Sequence, residues 1–393
     1  MLLIKGKTTD ILIKDDIIIE IADNIPETAE MTVINATGFI VAPGLVDMHV
    51  HFREPGFEYK EDILTGAEAA AAGGITTCCC MANTNPVLDN KEVFEYVVQK
   101  AESVPIGVLP VGAVTQGLQG IKLTDFAVLK NAGAIALSDD GIPIKSDDVM
   151  REALVAADKN RMLLISHCEE EEPMVIRDII LASETGTRIH IAHVSTAEAV
   201  ESIRKAKTAG VKVTAETCPH YFSLTESAVE EKGAFAKMNP PLRKQKDVDA
   251  IIRGLCDGTI DVIATDHAPH SVAEKSLPFN EAPNGIIGLE TSLAVTLTFL
   301  YHTKKLSIDE IIKLMADNPA KILGLNAGIL KEGGPADIVI FDPDEEWVIE
   351  PEKFKSKAKN TPFGGLKMAG KVILTISGGK VVYKSENSNN LVS

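Results

Sequence analysis

A chain of 393 residues with 45% hydrophobic content can bury a large core. At about 150 residues per domain that suggests two or three domains, although a single barrel can use about 250. The formal charge of −17 argues against non-specific nucleic-acid binding and leaves room for a locally positive site that takes an anionic small molecule.

The N-terminal stretch MLLIKGKTTDILIKDD breaks its apolar runs too early for a signal peptide, and no run reaches the roughly 18 residues of a membrane span. The six cysteines, three of them consecutive at Cys78, Cys79 and Cys80, match neither a disulfide framework nor a zinc-cysteine spacing. A cytoplasmic protein without a membrane partner is expected.

Residues 1–41 alternate short aliphatic runs with turn residues, as a small β module does. The same style returns at 334–393 in ADIVIFDPD, WVIEPE and KVILTISGGKVVYK, and the two ends are expected to form one composite β domain. The last residues, SENSNNLVS, read as frayed.

Between them, 42–333 carries eight short apolar runs separated by helical segments. They are LVDMHVH (45–51), ITTCCCM (75–81), PIGVLPVG (105–112), AIALS (134–138), MLLISH (162–167), RIHIAHV (188–194), VKVTAET (211–217) and DVIATD (261–266). Apolar strands alternating with helices indicate a parallel sheet covered on both faces, and eight such units predict an α/β fold of the (β/α)8 TIM-type barrel. An open doubly wound sheet is the rival, but its glycine fingerprint after the first strand is absent. The helix TAEAVESIRKAKTAG is expected to start on Thr196 as N-cap and close at Gly210.

Barrel chemistry sits at the C-terminal strand ends. There the sequence places His49 and His51 (first strand), Asp139 and Asp140 (after the fourth), His167 (fifth), His193 (sixth) and Asp266 (eighth). An isolated H-x-H is weak, because histidines beside turns are common. Four imidazoles with carboxylates at strand ends make a donor set for a divalent metal, zinc being favoured, with up to two ions if one carboxylate bridges. Asp266 can serve both as ligand and as proton acceptor.

Arg53, Asn83 and His270 follow strand ends, Asn239 lies in KMNPPLR, and the four form a candidate set for an anionic substrate, arginine being suited to a bidentate carboxylate contact. A surface salt bridge is the plain alternative for Arg53. His190 reads as structural, His220 as either a substrate contact or a loop hydrogen-bonder, and the cysteines as buried thiols.

These residues lie in DMHVHFREPG (47–56), KEDILTGAEAAAAGGITT (60–77), MANTNP (81–86), SDDGIP (138–143), HCE (167–169), HVST (193–196), CPHY (218–221), KMNPPLR (237–243), ATDHAPH (264–270) and PNGIIGLE (283–290). Together these motifs resemble the bacterial and archaeal dihydroorotases of the amidohydrolase superfamily over nearly the whole chain.

The resemblance implies metal ligation by His49, His51, Asp140, His167, His193 and Asp266, with Asp140 bridging and Asp266 as catalytic acid/base. It implies substrate binding by Arg53, Asn83, Asn239 and His270. The implied reaction is the reversible cyclisation of N-carbamoyl-L-aspartate to L-dihydroorotate and water. Hydantoinases and many other relatives bridge with a carboxylated lysine, and here SDDG supplies a carboxylate instead. A different cyclic-amide hydrolase, such as a hydantoinase or allantoinase, or an inactive pathway scaffold, is the competing reading. The interval from His167 to His193 is shorter than is usual for the class, and CPHY replaces its frequent histidine pair. The resemblance also raises a homodimer and association with aspartate carbamoyltransferase, neither marked by an interface in the sequence.

Overall fold

The computed structural model describes residues 1–386; residues 387–393, most of the segment read as frayed, lie outside the described residues. The N-terminal strands β1 (Leu2–Lys5), β2 (Asp10–Lys14), β3 (Ile17–Ala22) and β4 (Thr32–Asn35) form a sheet of order β3-β2-β1-β4. The strand β5 (Ile40–Pro43) leaves this sheet and pairs antiparallel with a strand from the other end of the chain.

The barrel strands follow: β6 (Leu45–Val50), β7 (Ile75–Cys80), β8 (Gly107–Pro110), β9 (Ala136–Leu137), β10 (Leu163–Ser166), β11 (Ile189–Ile191), β12 (Val213–Thr217) and β13 (Val262–Ile263). They match the eight apolar runs in order. Parallel pairing runs β6-β7-β8 and β9-β10-β11-β12-β13, and the parallel bridges Gly112–Leu137 and Val50–His267 join the two arcs into a ring. Val46, Met48, Cys79, Leu163, Ile165, Val262 and Ala264 fill the interior as one buried cluster, so the barrel has a packed floor rather than a pore.

The helices form where capping and apolar spacing agree. Thr196 accepts from the N–H of Ala199 at the start of Ala197–Thr208, and Gly210 follows the end at φ +80°. Ile63–Ala72 starts on a capping box of Asp62 and Thr65. Its Gly66 lies so close to Phe52 that an added Cβ would come within 2.4 Å of the ring, which lets this helix press on the chain just after His51.

The ends close the molecule. β14 (Ile338–Val348), β15 (Lys367–Ser377) and β16 (Lys380–Lys384) form the sheet β16-β15-β14-β5. Ile4, Ile11, Ile18 and Ile34 share a buried cluster with Ile338, Ile340, Leu374 and Ile376, so the two termini build one composite β domain. We propose the divisions at 41/42 and 333/334, with β5 straddling the first.

Candidate active site

One irregularity in β6 aims the first two histidines. Asp47 pairs with Cys78 and Val50 with Cys80, so β6 carries one extra residue over that interval. Such a bulge reverses the alternation of faces. Val46 and Met48 belong to the interior cluster, whereas Val50 belongs to the core between sheet and helices. His49 and His51 therefore both face the interior.

The other strand ends meet them there. Asp140 Oδ1 lies 3.3 Å from His49 Nε2, 3.2 Å from His167 Nδ1 and 3.5 Å from His193 Nε2, while its Oδ2 lies 3.3 Å from His51 Nε2. Asp266 Oδ1 stands 3.1 Å from His51 Nε2 and 3.5 Å from His49 Nε2. All six residues are buried. His193 (φ +35°), Asp266 (φ +47°) and Arg53 (φ +63°) adopt the left-handed backbone region, a costly conformation for non-glycine residues that functional sites retain.

Two triads that could hold a metal ion emerge, His49–His51–Asp266 and Asp140–His167–His193, each with its donor atoms within 4.8 Å of one another. His49 Nε2 and Asp140 Oδ1 are buried without a hydrogen-bond partner although they face each other. Burial opposes charge on both, yet Asp140, Asp266 and Glu216 raise His49 well above its ordinary value, and His49 and His167 hold Asp140 well below its own. This is a buried cluster whose electrostatics favour a cation, and its imidazole and carboxylate donors fit divalent metal.

Asp139, adjacent in sequence, is used differently. Its Oδ1 accepts from the N–H groups of Val114 (2.7 Å) and Thr115 (3.0 Å), and its Oδ2 from the Thr115 hydroxyl. It ties down the segment after β8, and Asp140 alone of the pair reaches the histidines.

Around the cluster, Asn83 Oδ1 lies 2.8 Å from His51 Nδ1, and its amide donates to the Asp140 carbonyl at 3.3 Å. Arg53 Nε donates to the Pro269 carbonyl at 3.2 Å. Burial lowers this guanidinium to about 10, leaving it cationic at neutral pH, and Asp266 and Asp140 favour its charge. His270 is buried beside it, with Nε2 3.5 Å from Arg53 Nη2. Asn239 is half-buried on a segment whose Lys237 carbonyl accepts from the N–H of Gly285. His220 is buried with an unpartnered Nε2, and burial lowers it to about 4. Arg243 donates to Ser195 Oγ (3.1 Å) and meets Glu171 (3.4 Å).

Glu216 is the participant that sequence reasoning missed. From the middle of β12 its Oε1 reaches His49 Nδ1 at 2.6 Å, and its Oε2 reaches His190 Nε2 at 3.2 Å. The available signal was a carboxylate within a barrel strand, VTAET, where it is buried.

This barrel, with polar strand ends forming two metal-suited triads, defines a metal-dependent hydrolase, and the chain belongs to the amidohydrolase family, whose model matches residues 40–382. Among individual proteins, it is 48% identical to the dihydroorotase of Acetivibrio thermocellus, covering 96% of this chain and 95% of that one. It is 49% identical to the dihydroorotase of Geotalea daltonii, covering 97% and 96%. In structure it resembles L-hydantoinase (dihydropyrimidinase) from Arthrobacter aurescens, with a TM-score of 0.88 at 26% identity over 98% of this chain and 96% of that chain. Among the described residues no helix is long and apolar enough to cross a membrane.

Proposed function

We infer that the chain acts as a dihydroorotase, interconverting N-carbamoyl-L-aspartate with L-dihydroorotate and water. The observation that carries this reading is the cationic Arg53 set beside the His/Asp cluster in a chain alike over its whole length to dihydroorotases. His49, His51, Asp140, His167, His193 and Asp266 would hold up to two divalent ions, zinc first by donor chemistry. When bound, such ions polarise an amide oxygen and lower the pKa of water.

The chain's own residues supply the rest. Burial would raise Asp266, but His49 and His51 outweigh it and keep the carboxylate ionised and ready to accept a proton. In hydrolysis Asp266 takes the proton of the attacking water and returns it to the ring nitrogen as the amide bond breaks. In cyclisation Asp266 takes the ureido proton as that nitrogen attacks the side-chain carboxyl carbon and passes it to the displaced carboxylate oxygen, which gains one further proton from solvent and leaves as water as the C–O bond breaks. Arg53 pairs with the carboxylate that stays outside the reaction, and Asn83, Asn239 and His270 complete its seat. Fixing one end of the molecule while the other closes lowers the entropic barrier to ring formation.

A substrate panel of dihydroorotate, hydantoin and allantoin tests the assignment: dihydroorotate should be turned over with the highest kcat/KM, and preference for another ring would replace it. A cytoplasmic location, a homodimer and association with aspartate carbamoyltransferase belong to the same reading.

A further inference from the structure

Lys60 lies on the loop after β6, and its Nζ stands 3.2 Å from His270 Nδ1 and 2.9 Å from Glu274 Oε1. An ammonium group only donates, so Nδ1 of His270 is the acceptor and the ring proton sits on Nε2. The far side of the ring gives the same answer independently. Nε2 lies 2.8 Å from the Asn284 carbonyl, which only accepts. His270 is therefore a neutral imidazole with both nitrogens engaged. Burial, reinforced by the charges of Arg53 and Lys60, agrees by pulling the ring down to about 3.

The tautomer matters to Arg53. With the proton on Nε2, the ring and Arg53 Nη2 present two donors to each other across 3.5 Å and do not bond. In the opposite tautomer Nε2 becomes an acceptor, competes for that arm of the guanidinium and turns a lone pair towards the Asn284 carbonyl. Lys60 is itself held, since Glu274 also accepts from the Tyr59 hydroxyl (3.1 Å) and forms a capping box with Ser271.

We propose that Lys60 is a positioning residue for substrate binding: it locks His270 in the Nε2–H tautomer and so leaves the outer edge of Arg53 free for the substrate carboxylate. The inference rests on Arg53 being the carboxylate anchor.

The test is nitrogen NMR of 15N-histidine-labelled, metal-loaded protein without substrate, with His270 assigned from the spectrum of His270→Asn. Wild type should show a protonated Nε2 and a bare Nδ1 at His270, and Lys60→Met should lose that pattern. In the same variant, KM for dihydroorotate should rise about tenfold with kcat within about twofold, the scale of one lost charge-assisted hydrogen bond. Lys60→Arg, which keeps a donor, should restore both readouts. A wild-type His270 protonated on Nδ1, or a Lys60→Met protein with wild-type tautomer and KM, would overturn the proposal. The tautomer is read without turnover, so its failure is distinct from a failure of the dihydroorotase assignment.

Discussion

His49 Nδ1 lies 2.6 Å from Oε1 of Glu216, and both side chains are fully buried. The carboxylate fixes the Nδ1–H form of the imidazole and turns Nε2 towards Asp140 and Asp266. Glu216 is held in turn by His190, whose Nδ1 bonds to Thr214 at 2.8 Å. A chain of buried groups on β11 and β12 thus orients a candidate ligand on β6. Glu216→Gln should weaken metal affinity by about 10- to 100-fold while the barrel stays folded. Chelator competition measures this, and unchanged affinity would reject the role.

Asp140 and Asp139 should behave as different kinds of residue. Asp140→Asn removes the carboxylate shared by the four histidines, so metal content should fall and turnover should be lost. Asp139→Ala deletes the acceptor for Val114 and Thr115 and should lower stability by about 1–3 kcal/mol, through unpaired buried N–H groups. Elemental analysis and denaturant unfolding of both variants separate the roles; metal loss confined to Asp139→Ala would reverse them.

For Asp266→Asn, kcat should drop by about 100-fold or more, the scale of a lost general base. Circular dichroism should show the fold retained, and metal content must be measured alongside because Asp266 is also a candidate ligand. Near-native turnover would remove the proton-transfer role.

Arg53→Met should raise KM for dihydroorotate by about 10- to 100-fold with metal content unchanged, as expected for one lost charged contact. Unaltered steady-state constants would leave the substrate carboxylate without its proposed anchor.

A pH effect on stability follows from Glu290, which accepts from the N–H groups of Lys355 (3.0 Å) and Ser356 (3.1 Å). Burial raises its pKa from 4.5 to about 7. Across that window the folded chain holds a proton that the unfolded chain has released, so this group's contribution to stability is lost as pH rises. Glu290→Gln should flatten the decline in melting temperature between about pH 5 and pH 7. An identical pH dependence in variant and wild type would contradict the shift.

The barrel was legible because its strands are short, mainly apolar runs without polar alternation, and its chemistry because His49, His51, His167, His193 and Asp266 sit at or near the ends of those runs. What the sequence could not reveal depends on three-dimensional phase. Spacing alone put His49 and His51 on one face, but only the bulge between Asp47 and Val50 makes that face the interior. Physics left Asp139 and Asp140 equivalent until the backbone N–H groups of Val114 and Thr115 claimed the first. Asn83 read as a substrate contact, and its nearest partner in the fold is His51, because pairing across strands has no signature along the chain. Lys60 and Glu216 were hidden for the same reason.

The dihydroorotase activity is tested most directly by incubating protein of measured metal content with N-carbamoyl-L-aspartate and, separately, with L-dihydroorotate. Each should be converted to the other, and chelation should abolish both directions until divalent metal is restored. Fully metal-loaded, folded protein that interconverts neither would contradict the assignment.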